Sequence, residues 1–295
     1  MTGTPPRKVL ITGAGGQVGR SLAGEAPGGT ELLSCSHQDL DIADASAVSH
    51  YVNRHKPDVI INAAAYTAVD RAESEPDLAR RINAEGPRHL AEAARASGAR
   101  LIHISTDFVF DGAASAPYLP DAATNPLNVY GATKLAGERG VLETLPERST
   151  VLRTAWVYAA EGSNFVRTML RVMKAHGSAR VVADQVGTPT AARALATVLW
   201  RIAAEPDITG IHHWTDAGTA SWYDFAVAVA EEGALLGLVG ADVTVTPIST
   251  AEYPTPARRP SYSVLDKRSL TSRGFAQLHW RKQLRSVLRE IANAV

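Results

Sequence analysis

Tyr130 and Lys134 stand four residues apart in the stretch Asn128-Val129-Tyr130-Gly131-Ala132-Thr133-Lys134. On a helix that spacing puts both side chains on one face, about 5–6 Å apart at Cβ. An ammonium beside a phenol stabilises the ionised phenol, so the Tyr130 pKa is expected to fall from its ordinary value of about 10 toward the working range of a proton donor. Ketone reduction needs such a donor, because hydride arrives at carbon and the oxygen must take a proton. A Tyr-x-x-x-Lys pair also arises by chance, so it carries weight only beside other motifs.

A second motif opens the chain. Lys8-Val9-Leu10-Ile11-Thr12 reads as a buried strand that runs into Gly13-Ala14-Gly15-Gly16-Gln17-Val18-Gly19 and then a short helix. Strand, glycine turn and helix N-terminus together make a pyrophosphate site: the glycines admit close backbone approach, and the unpaired helix N–H groups favour an anion. The spacing is G-x-x-G-x-x-G through Gly13, Gly16 and Gly19, not the G-x-G-x-x-G of many dehydrogenases. A plain strand-to-helix turn would look similar; the position at the first strand–helix unit favours a dinucleotide.

The elements that must position these groups alternate. Strands are expected at 31–36, 58–65, 100–106 and 150–156, and helices from Asp44 to about His55, from about Asp77 to Ala96 (ended by Gly98) and around Tyr130 and Lys134. A Gly/Pro/Ala-rich loop is expected over 111–126. Such alternation implies an α/β, Rossmann-type, doubly wound parallel sheet with right-handed crossovers. Beyond about residue 160 the pattern loosens: helices near 164–175, 190–204, 221–233 and 280–293, short strands near 180–184, 209–214 and 263–266, and a looped stretch punctuated by Pro247, Pro254, Pro256 and Pro260. The expected organisation is a tail over 1–6, a mainly dinucleotide-binding domain over 7–160, and a smaller substrate lobe over 161–295 with some segments returning to the core.

Composition narrows the function. The 295 residues are 45% hydrophobic with formal net charge zero, enough for a large core and without an electrostatic case for nucleic acid or an anionic membrane. No apolar run approaches the roughly 18 residues that span a bilayer, and no signal peptide is read. The single Cys35 leaves no internal disulfide and suits a reducing, cytoplasmic setting. The nine histidines include no His-Glu-x-x-His, so no metal is expected.

A parallel sheet delivers its strand C-termini to one crevice, which gathers Gly13, Ala63, Ala64, Ala65, Tyr66, Thr106, Asp107 and Trp156. Thr106 is placed to hold a carbonyl beside Tyr130, or it bonds local backbone at a strand end. Asp107 forms a turn or bonds a sugar hydroxyl. Trp156 stacks on a sugar or plugs the core. The end of the second strand, Ser34-Cys35-Ser36-His37, has neither an acid for a ribose 2′-hydroxyl nor an arginine for a 2′-phosphate, with Asp39 and Asp41 a few residues on. Use of both NADH and NADPH is therefore expected. Arg258-Arg259 either grips a diphosphate or belongs to a solvated loop.

From Ile11 to about Asp266 the chain resembles the extended short-chain dehydrogenase/reductases, and more narrowly the dTDP-4-dehydrorhamnose reductase family. The resemblance rests on residues 12–19, on Asn62-Ala63-Ala64-Ala65-Tyr66-Thr67-Ala68-Val69-Asp70 with Ala72-Glu73, on Ser105-Thr106-Asp107-Phe108-Val109-Phe110-Asp111-Gly112, on Tyr130 to Glu138 and on Arg153-Thr154-Ala155-Trp156-Val157-Tyr158. Residues 184–190 and 254–260 match as well. It implies that Gly16, Gln17 and Val18 touch the pyrophosphate, Asp41 and Ile42 the adenine end, and Ala63 to Ala65 the middle of NADPH or NADH. Tyr130 would donate the proton, and Lys134 would hold the nicotinamide ribose and lower the Tyr130 pKa. Thr106, Asp107, Trp156 and Arg258 would meet a dTDP-linked 6-deoxy-4-ketohexose. Phe108 stands where the family often has Tyr, and Ala132 where it often has a charge. Some members dimerise through magnesium held by glutamates; those have no identifiable counterpart here, so a homodimer is allowed and a metal is unsupported. The same residues would serve a sister 4-ketoreductase of an antibiotic-sugar pathway, an epimerase with permanently bound NAD, or a catalytically silent regulatory subunit.

Overall fold

The computed structural model describes residues 6–294, so most of the expected tail lies outside the described residues. The first half holds β1 (Lys8–Thr12), α1 (Gln17–Gly24), β2 (Glu31–Cys35), α2 (Ala45–His55), β3 (Val59–Asn62), α3 (Val69–Ala72), α4 (Pro76–Arg80) and α5 (Gly86–Ser97). It continues through β4 (Arg100–Thr106), α6 (Val129–Thr144), β5 (Ser149–Thr154) and β6 (Val157–Tyr158). The second half holds α7 (Phe165–His176), β7 (Ser178–Val182), β8 (Val186–Gly187), β9 (Thr190–Ala191), α8 (Ala192–Ala204), β10 (Gly210–His213), β11 (Ala220–Ser221), α9 (Trp222–Leu235), β12 (Thr244–Ile248), α10 (Arg268–Thr271) and α11 (Trp280–Asn293).

Six strands form the central sheet in the order β2-β1-β3-β4-β5-β10, parallel throughout. The chain moves outward in opposite directions from β1, which opens a crevice at the carboxyl ends of β1 and β3. Both faces are buried, as a parallel sheet requires. Val9, Ile11, Val59, Ile61, Ile102 and Leu152 meet α1 and α8 on one side. Leu10, Ile60, Leu101 and Val151 meet α2 and α5 on the other. The doubly wound architecture expected from the alternation is therefore present.

Local chemistry explains most boundaries. Asp44 caps α2 by accepting from Ala47 N at 2.9 Å, and Gly98 ends α5 in the left-handed region at φ 82°. The long helix expected over 77–96 is instead α4 and α5 joined by a π-helical turn, Arg81–Glu85. There α6 presses against it: a Cβ on Gly137 would lie 2.1 Å from the Asn83 carbonyl oxygen. The strand expected over 58–65 narrows to β3. The one expected over 150–156 stops at Thr154, because Trp156 takes φ 50° before β6 begins.

A third core lies beyond the sheet, where Leu170 of α7, Phe225 and Val229 of α9, and Leu284 and Leu288 of α11 pack together. Here two sequence expectations fail. The strand expected at 263–266 is absent; Tyr262 and Leu265 make single bridges to Val186 and Tyr118. Conversely, the stretch containing Pro247 is β12, paired in parallel with β7. Proline is tolerated because β12 has no partner on its other edge among the described residues. Both α8 and β10 belong to the layers of the central sheet, although they lie after residue 160.

Candidate active site

The glycine turn is built for close approach. Gly13 sits at φ 70°, and a Cβ there would come within 2.5 Å of Ala64 N. A Cβ on Gly19 would lie 2.3 Å from Gly13 O, so α1 packs directly onto the turn. Gly16 caps α1 without any side-chain hydrogen bond, leaving the first-turn N–H groups beside Gln17 and Val18 open to an anion. This cradle stands at the β1–β3 crevice, and it fits a dinucleotide pyrophosphate. Further out, Asp39 accepts from Ser36 N (2.8 Å) and Ser36 Oγ (2.6 Å), so the acid after β2 is tied into its own turn. Asp41 accepts from Ala43 N, and Ile42 is a buried core residue whose carbonyl faces His89. Tyr66 is held by Asn83 through both backbone groups and hydrogen-bonds Glu75.

The catalytic helix is seated by small residues. Asn128 caps α6 through Gly131 N at 2.8 Å, and its amide donates to Arg258 O at 2.7 Å. A Cβ on Gly131 would lie 2.2 Å from Phe108 O, so the start of α6 lies against the turn that follows β4. That contact brings Tyr130 to Thr106 and sets its ring edge-on to Phe108, 5.6 Å between centroids. Burial pushes the Tyr130 phenol up to about 12, with the nearby Thr106 hydroxyl easing its ionisation and Asp107 opposing it. The downward shift expected from Lys134 is thus overturned. Lys134 is buried, and its Nζ donates to Ile104 O at 2.7 Å and faces His103 Nε2 at 3.4 Å rather than the phenol. Burial lowers the Lys134 pKa to about 8, with Glu138 acting the other way.

Asp107 is 1% exposed, and Oδ1 accepts from the Thr106 hydroxyl at 3.0 Å. Oδ2 makes no hydrogen bond of normal geometry, although the Ser263 hydroxyl acts with Thr106 against the burial that lifts this carboxyl to about 6. Beside this end of α6 opens a cavity of about 440 Å³ lined by Asp111, Leu127, Asp184, Gln185, Arg258 and Ser261. A larger groove of about 620 Å³, between α2 and α5, is lined by helix-surface residues such as Ser46, His50 and His89, none of them a residue of the crevice.

Over residues 7–293 the chain matches the family described as the RmlD substrate binding domain. The chain belongs to that family. A dTDP-4-dehydrorhamnose reductase of Streptomyces griseus is 44% identical over 291 residues, 96% of this chain and 94% of that protein. The crystal structure of a dTDP-4-dehydrorhamnose reductase from Clostridium acetobutylicum superposes with a TM-score of 0.90 at 44% identity, covering 96% of this chain and 99% of that one. The Bacillus anthracis dTDP-4-dehydrorhamnose reductase, solved in complex with NADP, gives a TM-score of 0.90 at 37% identity with the same coverage, 96% and 99%.

Within this RmlD-family site the two arginines part. Arg259 is bound to Asp70 through two nitrogens, at 2.8 and 3.0 Å, and so holds the 255–259 loop to α3. Arg258 is exposed beside the cavity, its side chain without a hydrogen bond or ion pair among the described residues. Trp156 packs half-buried against the edge of the third core: its ring stacks on Trp222 at 3.6 Å between centroids and lies against Gly187. Among the described residues no three His, Cys, Asp or Glu side chains form a metal-binding group, and no helix is long and apolar enough to cross a membrane.

Sequence reasoning missed two buried pairs. Asn62 and His103, both fully buried, link Lys134 to β1 and β3; a histidine inside the apolar run Leu101-Ile102-His103-Ile104 was the available signal. Arg153 on β5 grips Glu138 at 2.7 and 2.9 Å, both residues about 2% exposed at their side chains, anchoring the middle of α6 to the sheet. Only the fold pairs them.

Proposed function

We propose that this protein is a dTDP-4-dehydrorhamnose reductase, reducing the C4 ketone of dTDP-4-dehydro-6-deoxy-L-mannose to dTDP-L-rhamnose with NADPH or NADH. The observation that carries the reading is the seating of the start of α6 against the turn that follows β4, which sets Tyr130 beside Phe108, two residues from Thr106 at the carboxyl end of β4. In this reading Gly13, Gly16, Gln17, Val18 and Gly19 hold the pyrophosphate, Asp41 and Ile42 border the adenine end, and Ala63, Ala64, Ala65 and Tyr66 follow the middle of the coenzyme. Tyr130 and Lys134 face the nicotinamide ribose. The coenzyme supplies the hydride that adds to C4. Thr106 orients the carbonyl oxygen through its hydroxyl. A phenol held near about 12 rests protonated, and Tyr130 gives that proton to O4 as negative charge develops there. The buried Asp107 oxygen that makes no hydrogen bond of normal geometry suits a sugar hydroxyl, and Arg258 at the cavity rim suits the substrate diphosphate. The Trp156–Trp222 stack forms an apolar wall for the sugar. A cytoplasmic setting agrees with the lone, buried, unpaired Cys35.

The test couples the absorbance loss of reduced nicotinamide to NMR of the product. Substrate is generated from dTDP-glucose by the two preceding enzymes. Oxidation of NADPH or NADH giving dTDP-L-rhamnose is expected; a C4 epimer would assign the chain to a sister 4-ketoreductase, and absence of oxidation would overturn the reading.

A further inference from the structure

Thr12, Asn62 and His103 stand opposite one another in the registers of β1, β3 and β4, making a polar row across three buried strands. All three are at most 1% exposed. Their hydrogen bonds leave one consistent assignment. The Ala64 backbone N–H can only donate, so the Asn62 atom facing it at 3.1 Å is Oδ1, which also takes the Thr12 hydroxyl at 2.7 Å. Asn62 Nδ2 therefore faces His103 Nδ1, at 3.0 Å, and can only donate to it. With Nδ1 accepting, a neutral ring carries its proton on Nε2. Burial and the Lys134 charge hold the His103 pKa well below its ordinary value, so the ring is neutral. Its Nε2–H then points at Lys134 Nζ, 3.4 Å away.

We propose that Thr12 and Asn62 act as a tautomer lock on His103, and that His103 is a positioning residue whose Nε2–H favours the neutral amine of Lys134 over its ammonium. An ammonium has only donors to offer that N–H, whereas the amine accepts it and still donates to Ile104 O. The lock thus eases departure of a proton from Lys134 and accommodates the amine left behind. This role rests on the reductase reading and extends it: after Tyr130 has protonated O4, a Lys134 proton returns to the phenolate through an intervening water, since Nζ faces His103 rather than the phenol; one N–H bond breaks, one O–H bond forms, and solvent later returns the proton to Lys134. Besides His103, the titratable group that acts on Lys134 is Glu138 on α6; the elements packed there also carry Tyr130 on α6, Asp107 after β4, Arg153 on β5 and Glu73 after α3. Arg153 takes up Glu138, and Glu73 bonds the α6 terminus at Val129 N, so His103 is the one that contacts Nζ.

The test needs no substrate. In protein labelled with ¹⁵N-histidine, His103 (assigned from the His103→Gln spectrum) is expected to show the Nε2–H tautomer across pH 6–9; the Nδ1–H tautomer or an even mixture would overturn the lock. The Lys134 amine, followed through its ¹³Cε shift, is expected to titrate near the value of about 8 that its burial sets. In Asn62→Leu, which removes the donor to Nδ1, the midpoint should rise by up to about one pH unit, tenfold in proton affinity; Thr12→Val, which leaves the Ala64 N–H on Asn62 Oδ1, should move it in the same direction but less. The alkaline limb of kcat should move with it while KM stays. An unchanged midpoint in both variants would overturn the proposal. Because the ring measurement is made on the unsubstituted protein, it decides even where a variant fails to fold, and it stands apart from the activity test of the reductase reading.

Discussion

The sheet half and the lobe formed by α7, α9 and α11 both bury a continuous apolar core, but they assemble their functional surfaces differently. In the sheet half, register alone brings Thr12, Asn62 and His103 into line, and every strand delivers its last residue to the same edge. In the lobe, neighbours come from short segments distant along the chain: Ser178 pairs with Thr244, Trp156 stacks on Trp222, and Gln185 bonds Thr250. The first arrangement suits chemistry that must be placed to fractions of an ångström. The second suits a surface shaped to a particular sugar, since loops vary without disturbing the sheet.

Four experiments would sharpen or break this division, in falling order of effect. Phe225 is fully buried and touches the rings of Tyr158, Phe165, Trp222 and Trp280. Phe225→Ala is expected to cost about 3–5 kcal/mol of stability by denaturant unfolding, with coenzyme affinity retained by the folded fraction. Loss of that affinity in folded protein would show that the lobe shapes the coenzyme site. Tyr130→Phe should lower turnover roughly 10²-fold or more with modest change in binding, because proton donation belongs to the transition state; an unchanged kcat would remove Tyr130 from the mechanism. Gly19→Ala forces a methyl toward Gly13 O and should cost about 1–3 kcal/mol, seen as weaker coenzyme binding and a lower Tm. Wild-type affinity for NADPH in that variant would place the pyrophosphate elsewhere.

The smallest effect lies where the two regions join. Asp216 is buried and accepts from Ala191 N at the start of α8; burial raises its pKa to about 7, well above the usual carboxylate range, against the pull of Lys267. A carboxyl with a raised folded-state pKa contributes stability that is fully present below its unfolded pKa and lost as pH rises through the folded one. Asp216→Asn keeps an acceptor for Ala191 N and removes the charge. Its Tm relative to wild type should climb by a few degrees between about pH 4 and pH 7 and then level off. A constant difference across that window would mean that Asp216 stays ionised.

Legibility differed between the regions for physical reasons. β1, β4 and α6 could be read because a strand buried on both faces is uniformly apolar, and because Asn128 caps its helix through a local bond. β12 could not, since its proline is acceptable only on an unpaired edge, and no local pattern announces an edge. The Tyr130 pKa was misread for a related cause. Four-residue spacing puts Lys134 on the same helix face, but the interior offers its ammonium the Ile104 carbonyl and the His103 ring, and burial then dominates the phenol. Arg258 and Arg259 are indistinguishable in sequence; Asp70, nearly two hundred residues away, decides which of them is taken.

By itself the sequence determined what is local: the order of strands and helices, the glycine turn before α1, the helix that carries Tyr130 and Lys134, and the set of residues at the strand ends. These follow from side-chain volume, backbone freedom and short-range hydrogen bonds, which depend on neighbours along the chain. Only the tertiary structure decided which way Lys134 turns, which arginine stays free, how Trp156 is stacked, and that Asn62 and His103 form one row with Thr12. Those outcomes depend on desolvation and on partners brought together by strand register and helix packing, and both are properties of the folded chain.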